Sequence, residues 1–469
     1  MASTRLEKTF TASNRKTFTI STWIKRSGLT ANNSIYGAGT NDSSDRDYLA
    51  FLADSGEEDK LYFNAKVSNS TVAQFYTNRR FRDTSAWYHI VLAFDTTQAT
   101  DTNRMKLYVN GEQQTYQSVT YPSQNQDMNT NNTVHKIGST VGNGQYFDGS
   151  MTHFHFVDGT AYDADDFGES DSVSGIWIPK TAPSVTYGTN GAFLKFENSG
   201  AMGTDSSGNS NTFTVNGTLT QNVDTPSNVF CVINAADRFK GNNTNTPDNL
   251  QNGATKMVTS NASFLSTRGS IGVTSGKWYW EAKQGAGNGW AIGICNDAMV
   301  SQTSAQFWDN TTITGVAING SSGTAYVNGA NGDSWNQGTS VNSNTLYGFA
   351  LDMDNRAFYI SINGTYLTAN GNVGNPTSGS SRTGSVLGEL TTRGGTGGLN
   401  YIPQGELIYP FQADVSGSTY CEIAMNFGQG YFGTTAVASA GTAPSEGGIF
   451  EYDCPTGYQS LCTKGINSF

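Results

Sequence analysis

Apolar and polar positions alternate with period two through most of the chain, the signature of strands with one buried face. Phe18-Thr19-Ile20-Ser21-Thr22-Trp23-Ile24 alternates this way. So does Trp87–Phe94, and so does Lys106–Val109, which runs straight into Asn110-Gly111. An Asn-Gly pair between two such runs predicts a hairpin, because both central positions of a type I′ turn need positive φ. The dipeptide recurs at Asn319-Gly320, Asn328-Gly329 and Asn363-Gly364. No stretch carries a 3.6-residue apolar period; one short helical turn is expected at Ala164–Phe167.

Punctuation divides the pattern. Residues 1–181 read as one strand-rich block that closes at Trp177-Ile178-Pro179. Residues 182–235 read as a bridge with the strand Ala192–Phe196 and the polar loop Gly203–Asn211. A second strand-rich block covers 236–435 and contains the Gly/Ser/Thr/Asn-rich stretch Asn370–Gly398; loops of that length are usually functional or mobile. The last part, 436–469, reads as a tail with little pattern.

Composition agrees with strands and turns. Of 469 residues, 54 are glycine and only 14% are charged, whereas aromatics reach 12%, too many for a disordered chain. The formal net charge of −11, with no basic cluster beyond Arg79, Arg80 and Arg82, argues against nucleic acid and against anionic membranes. No apolar run approaches a membrane span, and Met1–Arg5 opens no signal-peptide core, so a soluble product made in a cytoplasm is expected. The five cysteines, Cys231, Cys295, Cys421, Cys454 and Cys462, are too sparse for a disulfide scaffold. Cys454 and Cys462 could bridge a short loop, or all five could be free thiols.

Three ordered motifs in the second block resemble the SPRY domain. They are Gly276-Lys277-Trp278-Tyr279-Trp280-Glu281 with Gly289–Ile294, then Tyr347–Asp354 leading to Asn363-Gly364, then Leu407–Phe411 with Asn426-Phe427-Gly428-Gln429. Trp278 and Trp280 share one strand face and fit a sheet-on-sheet core; Asp352 and Asp354 fit turn closures. The first block is similar to laminin-G-like and concanavalin A-like jelly rolls, on Phe18–Ile24, Trp87–Val91, Lys106–Gly111 and Tyr146–Gly149 with Phe154-His155-Phe156. The expected fold class is therefore all-β, two concanavalin A-like jelly-roll sandwiches, laminin-G-like then SPRY-like, joined by the bridge. The whole string resembles virion surface proteins of marine bacteriophages, especially those of cyanobacteria. That resemblance implies a head or tail appendage, fibre or decoration protein, synthesised in the bacterial host cytoplasm and displayed on the virion surface. Its partners would be other virion proteins and a host surface polysaccharide. Phage appendages are often trimers, so the resemblance brings in a homo-oligomer, although no coiled-coil heptads impose one.

No catalytic set stands out. Jelly-roll glucanases place acidic residues at alternate strand positions, whereas Glu57-Glu58-Asp59 and Asp163–Asp166 are contiguous and read as turns. No G-x-S-x-G elbow occurs, and there are four histidines, of which His153 and His155 sit two apart on one strand as a metal pair lacking a third ligand. The expectation is a protein without enzymatic activity; a glycan depolymerase on the same scaffold and a purely architectural virion subunit are the alternatives. The laminin-G-like resemblance also brings calcium into view. Asp42, Asp45 and Asp47 in the loop Asn41–Asp47, and the Asp205–Asn209 stretch, are the candidate oxygen ligands, although Arg46 sits awkwardly among the first set. Trp308, Trp335 and Tyr326 are the candidate glycan-binding aromatics, because ring faces pack on the C–H surfaces of sugars.

Overall fold

The computed structural model describes residues 3–29, 31–172, 175–240, 250–259, 265–287, 289–297, 315–320, 325–327, 344–369, 372–386, 402, 404–414 and 420–468. They form two compact units, Met1–Gln221 with Thr225–Ser227, and Asn222–Asp224 with Asn228–Phe469. No helix among the described residues is long and apolar enough to cross a membrane.

The first unit is a sandwich of two antiparallel sheets. One has eight strands in the spatial order Tyr116–Thr120, Ser70–Arg80, Lys60–Val67, Asp45–Phe51, Asn33–Asn41, Val134–Ile137, Arg5–Thr9 and Thr214–Asn216. The other has six: Ala192–Leu194, Gly149–Asp158, Thr17–Arg26, Tyr88–Asp95, Met105–Val109 and Glu112–Gln113. The alternation explains the packing. Odd positions Leu49, Phe51, Leu61, Phe63, Ala73 and Phe75 enter the core from one sheet, and Phe18, Ile20, Ile90, Leu92, Phe94 and Phe156 from the other. Phe63 meets Phe94 across the gap at 5.2 Å between ring centroids. Each such side chain contributes roughly 1.5–3 kcal/mol by leaving water. Asn110 and Gly111 take φ values of 50° and 85°, and Asn363 and Gly364 take 47° and 80°, the turn geometry their dipeptides announce. The turn at 164–167 is a 3-10 helix over Ala164–Asp166, capped by Asp163.

Most of the expected bridge belongs to this unit. Ala192–Leu194 pairs with Phe154–Phe156, and Thr214–Asn216 pairs with Arg5–Glu7. The polar loop between them is held by one carboxylate. Asp205 accepts from the backbone N–H groups of Phe193, Ser207 and Asn211 at 2.9, 2.8 and 2.7 Å, and from the Ser207 hydroxyl at 2.8 Å. Its oxygens are committed to protein donors, which corrects the expectation that Asp205–Asn209 serves a cation. Removing that carboxylate leaves backbone donors unmatched, so Asp205→Ala is expected to cost about 2 kcal/mol. A melt of the first unit that stays within a degree of the wild type would refute this role.

The second unit is also a two-sheet sandwich. Its six-stranded sheet runs Ile233–Lys240, Leu265–Gly269, Ile408–Asp414, Trp290–Asn296, Gly315–Asn319 and Ala325–Val327. The facing sheet runs Leu250–Gln251, Lys256–Val258, Glu422–Asn426, Lys277–Gln284, Leu346–Asp352, Ala357–Ile362 and Thr365–Tyr366. Trp280 stacks on Phe349 at 5.6 Å, and Trp290 from the opposite sheet meets Tyr347 at 5.2 Å. Asp352 accepts from the Asn355 N–H at 2.9 Å and so closes a turn, whereas Asp354 accepts from the Gly276 N–H at 2.8 Å, 78 positions away, and ties its turn to the start of the strand Lys277–Gln284.

The C-terminal residues expected as a patternless tail are part of this sandwich. Gln459–Ser460 lies parallel to Lys277–Gln284, and Phe450, Tyr458 and Leu461 are buried. The entry and exit of the unit are zipped together: Cys231 N–H donates to the Leu461 carbonyl at 2.8 Å and Thr463 N–H to the Val229 carbonyl at 2.9 Å. None of the five cysteines is in a disulfide and all are buried, Cys454 and Cys462 included. Part of the Asn370–Gly398 stretch is ordered packing rather than loop: Pro376–Ser381 is a 3-10 segment, and the Tyr458 hydroxyl donates to the Pro376 carbonyl at 3.0 Å.

Candidate functional site

The aromatic platform expected at Trp308, Trp335 and Tyr326 falls on residues that are described only in part. Trp308 and Trp335 lie outside the described residues, as does much of Asn370–Gly398. Tyr326 lies on the strand Ala325–Val327, opposite Ala317.

The three carboxylates expected to share calcium go to three different places. Asp42 accepts from the Thr140 hydroxyl and the Gly142 N–H, both at 2.8 Å. Asp45, at the start of its strand, accepts from the Ser68 N–H at 2.9 Å. Asp47 has the same strand phase as the core residues Leu49 and Phe51 and is fully buried. It accepts from the Asn129 N–H at 2.9 Å and the Asn129 amide at 3.0 Å; burial raises its pKa to about 7 against the pull of those bonds. Among the described residues no group of three His, Cys, Asp or Glu side chains is placed to hold a metal. The calcium site expected at Asp42, Asp45 and Asp47 is therefore not formed, because strand phase and local turns separate the ligands.

The histidine pair meets a similar end. The strand bulges between Thr152 and His155, and His153 adopts φ 49°. His153 Nδ1 bonds to the Thr152 hydroxyl and His155 Nδ1 to the Tyr187 hydroxyl, each at 2.9 Å. The acidic runs are also engaged. Glu57 pairs with Lys60 at 2.5 Å, Glu58 with Arg80 at 3.0 Å, and the buried Asp59 with Arg26 at 3.1 Å and Arg82 at 3.0 Å.

What the sandwich does assemble is a row of tyrosines on the outer face of the eight-stranded sheet. Even positions point away from the core there. Tyr62 lies opposite Tyr76 on the next strand, with ring centroids 4.6 Å apart, and Tyr48 follows on the other side at 6.1 Å. Amides and one guanidinium fill the spaces. Asn64 lies opposite both Gln74 and Tyr48. The Gln74 amide donates to the Tyr62 hydroxyl at 2.9 Å. Arg46 donates to the Asn64 carbonyl oxygen at 3.0 Å and stands 5.1 Å from the Tyr48 ring centre. The Tyr48 hydroxyl donates to the Gln145 side-chain carbonyl. Burial, with Tyr62 nearby, pushes the Tyr76 hydroxyl up to about 12, and burial raises Tyr48 further, so both stay protonated donors at neutral pH.

This row could have been suspected from the sequence. Three successive strands place tyrosine or an amide in the polar phase of their alternation, at Tyr48, at Tyr62 and Asn64, and at Gln74 and Tyr76. What alternation cannot supply is the register that brings them side by side.

The family described as the concanavalin A-like lectin/glucanases superfamily matches residues 3–165, which hold all three tyrosines. No curated protein matches the chain. Among solved structures, the SPRY domain of human HERC1 is similar at 14% identity, over 41% of this chain and 96% of that one, with a TM-score of 0.28. A candidate carbohydrate-binding protein from Bacteroides ovatus is similar at 16% identity, over 46% of this chain and 58% of that one, with a TM-score of 0.28. A heptameric SAP-like pentraxin from Limulus polyphemus is similar at 15% identity, over 34% and 71%, with a TM-score of 0.26. The chain is thus all-β, built of two jelly-roll sandwiches, and the first carries the sequence match to the concanavalin A-like lectin/glucanases superfamily.

Proposed function

We propose that the chain is a non-catalytic glycan-binding protein of a bacteriophage surface, and that the half-buried Tyr62 and Tyr76, backed by the buried Tyr48, form its sugar platform. The observation that carries the sugar reading is the cross-strand tyrosine row with amides between the rings. Aromatic faces pack against the C–H surfaces of pyranoses, and amides with protonated phenols supply donors and acceptors to hydroxyls. The superfamily match over 3–165 supports the same reading, since lectins are named in it. Support for a binding rather than a hydrolytic role comes from the flanking positions. Within the strands they are amide, alanine, serine and arginine; the carboxylates that act on the Tyr76 hydroxyl, Glu57 and Asp54, come from the neighbouring turn, where Glu57 is paired with Lys60, whereas a glycosidase needs two carboxylates about 5–10 Å apart within its cleft. The virion setting, with neighbouring virion proteins and host polysaccharide as partners, rests on the order of modules and bridge along the chain.

Tyr62→Ala removes the central ring and is expected to weaken glycan binding about tenfold or more. A glycan array read with the wild-type chain and with Tyr62→Ala tests this. Binding by neither, or equal binding by both, removes the tyrosine row from the sugar site. Release of reducing ends from a bound polysaccharide would favour a depolymerase. Failure of an antibody raised against the chain to decorate intact phage particles would count against the virion setting.

A further inference from the structure

We infer that the tyrosine face takes the end of an uncharged glycan chain rather than an internal stretch, an inference that rests on the glycan-binding reading above. The face is open on one side and walled on the other. Two rows cross it. One holds Thr120, Gln74, Asn64, Tyr48 and Gly37, and the other holds Ser118, Tyr76, Tyr62, Ala50 and Ser34.

At the outer edge both rows finish in small exposed residues, Ser118 and Thr120, over which a chain could continue into solvent. At the inner side both run into the segment 139–145, which lies on the sheet. A Cβ on Gly37 would stand 3.0 Å from the Ser139 carbonyl oxygen and 3.3 Å from the Val141 nitrogen, so only glycine admits that segment so close. The Ser34 N–H donates to the Gln145 carbonyl at 2.8 Å, and Lys136 Nζ donates to the Val141 carbonyl at 2.7 Å.

The wall is braced rather than loose. Asp42 takes donors from Thr140 and Gly142, the Thr140 N–H donates to the Gly144 carbonyl at 3.0 Å, and the Gly144 N–H donates to the Thr140 hydroxyl at 3.0 Å. Exposure falls in the same direction: Tyr76 and Tyr62 are half-buried, whereas Tyr48 is 4% exposed and Ala50 is 0% exposed. The blind end presents the exposed Gln145, whose side-chain carbonyl takes the Tyr48 hydroxyl and whose amide N–H groups suit the hydroxyls of a terminal sugar. The half-buried Tyr62 and Tyr76 rings, 4.6 Å apart, together with the exposed Gln145 at the closed end leave room for about two to three sugar rings. Arg46, half-buried, keeps its positive charge while donating to the neutral Asn64 carbonyl oxygen, but the Glu57 and Asp54 carboxylates also act on the Tyr76 hydroxyl, so positive charge at this face is opposed by negative charge that disfavours an anionic sugar.

The test is calorimetric titration of the full chain with linear neutral gluco-, manno- and xylo-oligosaccharides of rising length. End binding predicts that affinity stops rising at about three sugars, and that longer chains still take about one protein each. Gln145→Ala should weaken the trisaccharide about tenfold, with the melt of the first unit confirming the fold. Protein bound per chain that grows with chain length overturns the end-binding inference and leaves the glycan reading standing. Absence of binding across the series, with no hit on the array, overturns both.

Discussion

Acidifying the protein from about pH 7 to about pH 4.5 unfolds the first unit while the second holds. All four histidines lie in the first unit, at 89, 135, 153 and 155, and all are held neutral. Burial lowers His89 and His135 to about 3 each, with His153 adding to the effect on His89. Burial and then Lys195 lower His153 to about 4, with Glu197 opposing. Burial, then His153 and His89, carry His155 well below its usual range.

The bonding explains why protonation does damage. The Trp177 indole N–H donates to His89 Nδ1 at 3.0 Å, so that nitrogen is an acceptor, and the Ser21 hydroxyl faces Nε2 at 2.9 Å. The Asn131 N–H donates to His135 Nε2 at 3.0 Å. A proton on either nitrogen puts donor against donor. A group whose folded pKa is depressed keeps its full contribution above its unfolded pKa, here about 6.5, and loses it as pH falls, by about 1.4 kcal/mol per unit and per histidine. Asp47, Asp148 and Asp166, whose carboxyl pKa values burial raises, oppose by relieving a cost on acidification, but they stand against four imidazoles.

The second unit has no histidine, and its buried Glu281, pushed up to about 7 by burial, also gains from acid. Hydrogen exchange read by peptide at both pH values separates the units. Equal protection of the first unit at both values would sink the prediction.

Glu281→Ala is expected to cost about 3–5 kcal/mol and to free the C-terminal residues from the second sandwich. Glu281 is fully buried in the strand Lys277–Gln284. It accepts from the backbone N–H groups of Glu451 and Tyr452 at 2.9 Å each, from the Tyr279 hydroxyl at 3.2 Å and from the Asn426 amide at 3.3 Å. Truncation takes the acceptor from four donors at once, two of them buried and two half-buried. The two backbone donors belong to the segment that leads to Gln459–Ser460, so exchange should rise over about 449–460 as stability falls. Glu281→Gln turns one acceptor into a donor facing N–H groups, and should cost less, about 1–2 kcal/mol. It also removes the carboxyl's contribution to pH dependence: a raised carboxyl pKa gives stability that is present at low pH and lost as pH climbs towards about 7. A melt of Glu281→Ala within a degree of the wild type would show that the tail is held by other contacts.

Both effects depend on residues whose importance is invisible locally. Glu281 follows Trp278 and Trp280 in a motif legible as a core strand, yet three of its four partners lie 145 to 171 positions away. The tail looked patternless because its residues are buried by docking onto a finished sheet, which leaves no alternation to read. The calcium reading failed on strand phase. Asp47 has the parity of Leu49 and Phe51, so a rule as simple as period two sends it inward, away from Asp42 in the preceding turn. The glycan candidates Trp308 and Trp335 lie outside the described residues, whereas the tyrosine row lies within strands, in the phase that alternation assigns to the outer face.

The sequence by itself determined the all-β class, the strands of the first sandwich, the Asn110-Gly111 and Asn363-Gly364 turns and the Asp352 turn. Each is set by neighbours in the chain: period two chooses a face, and positive φ chooses asparagine and glycine. Only the tertiary structure decided that Tyr48, Tyr62 and Tyr76 form one row, that 139–145 closes one end of it, and that four imidazoles stay uncharged. Those outcomes follow from strand register, loop docking and burial, and all three depend on contacts between residues far apart in the chain.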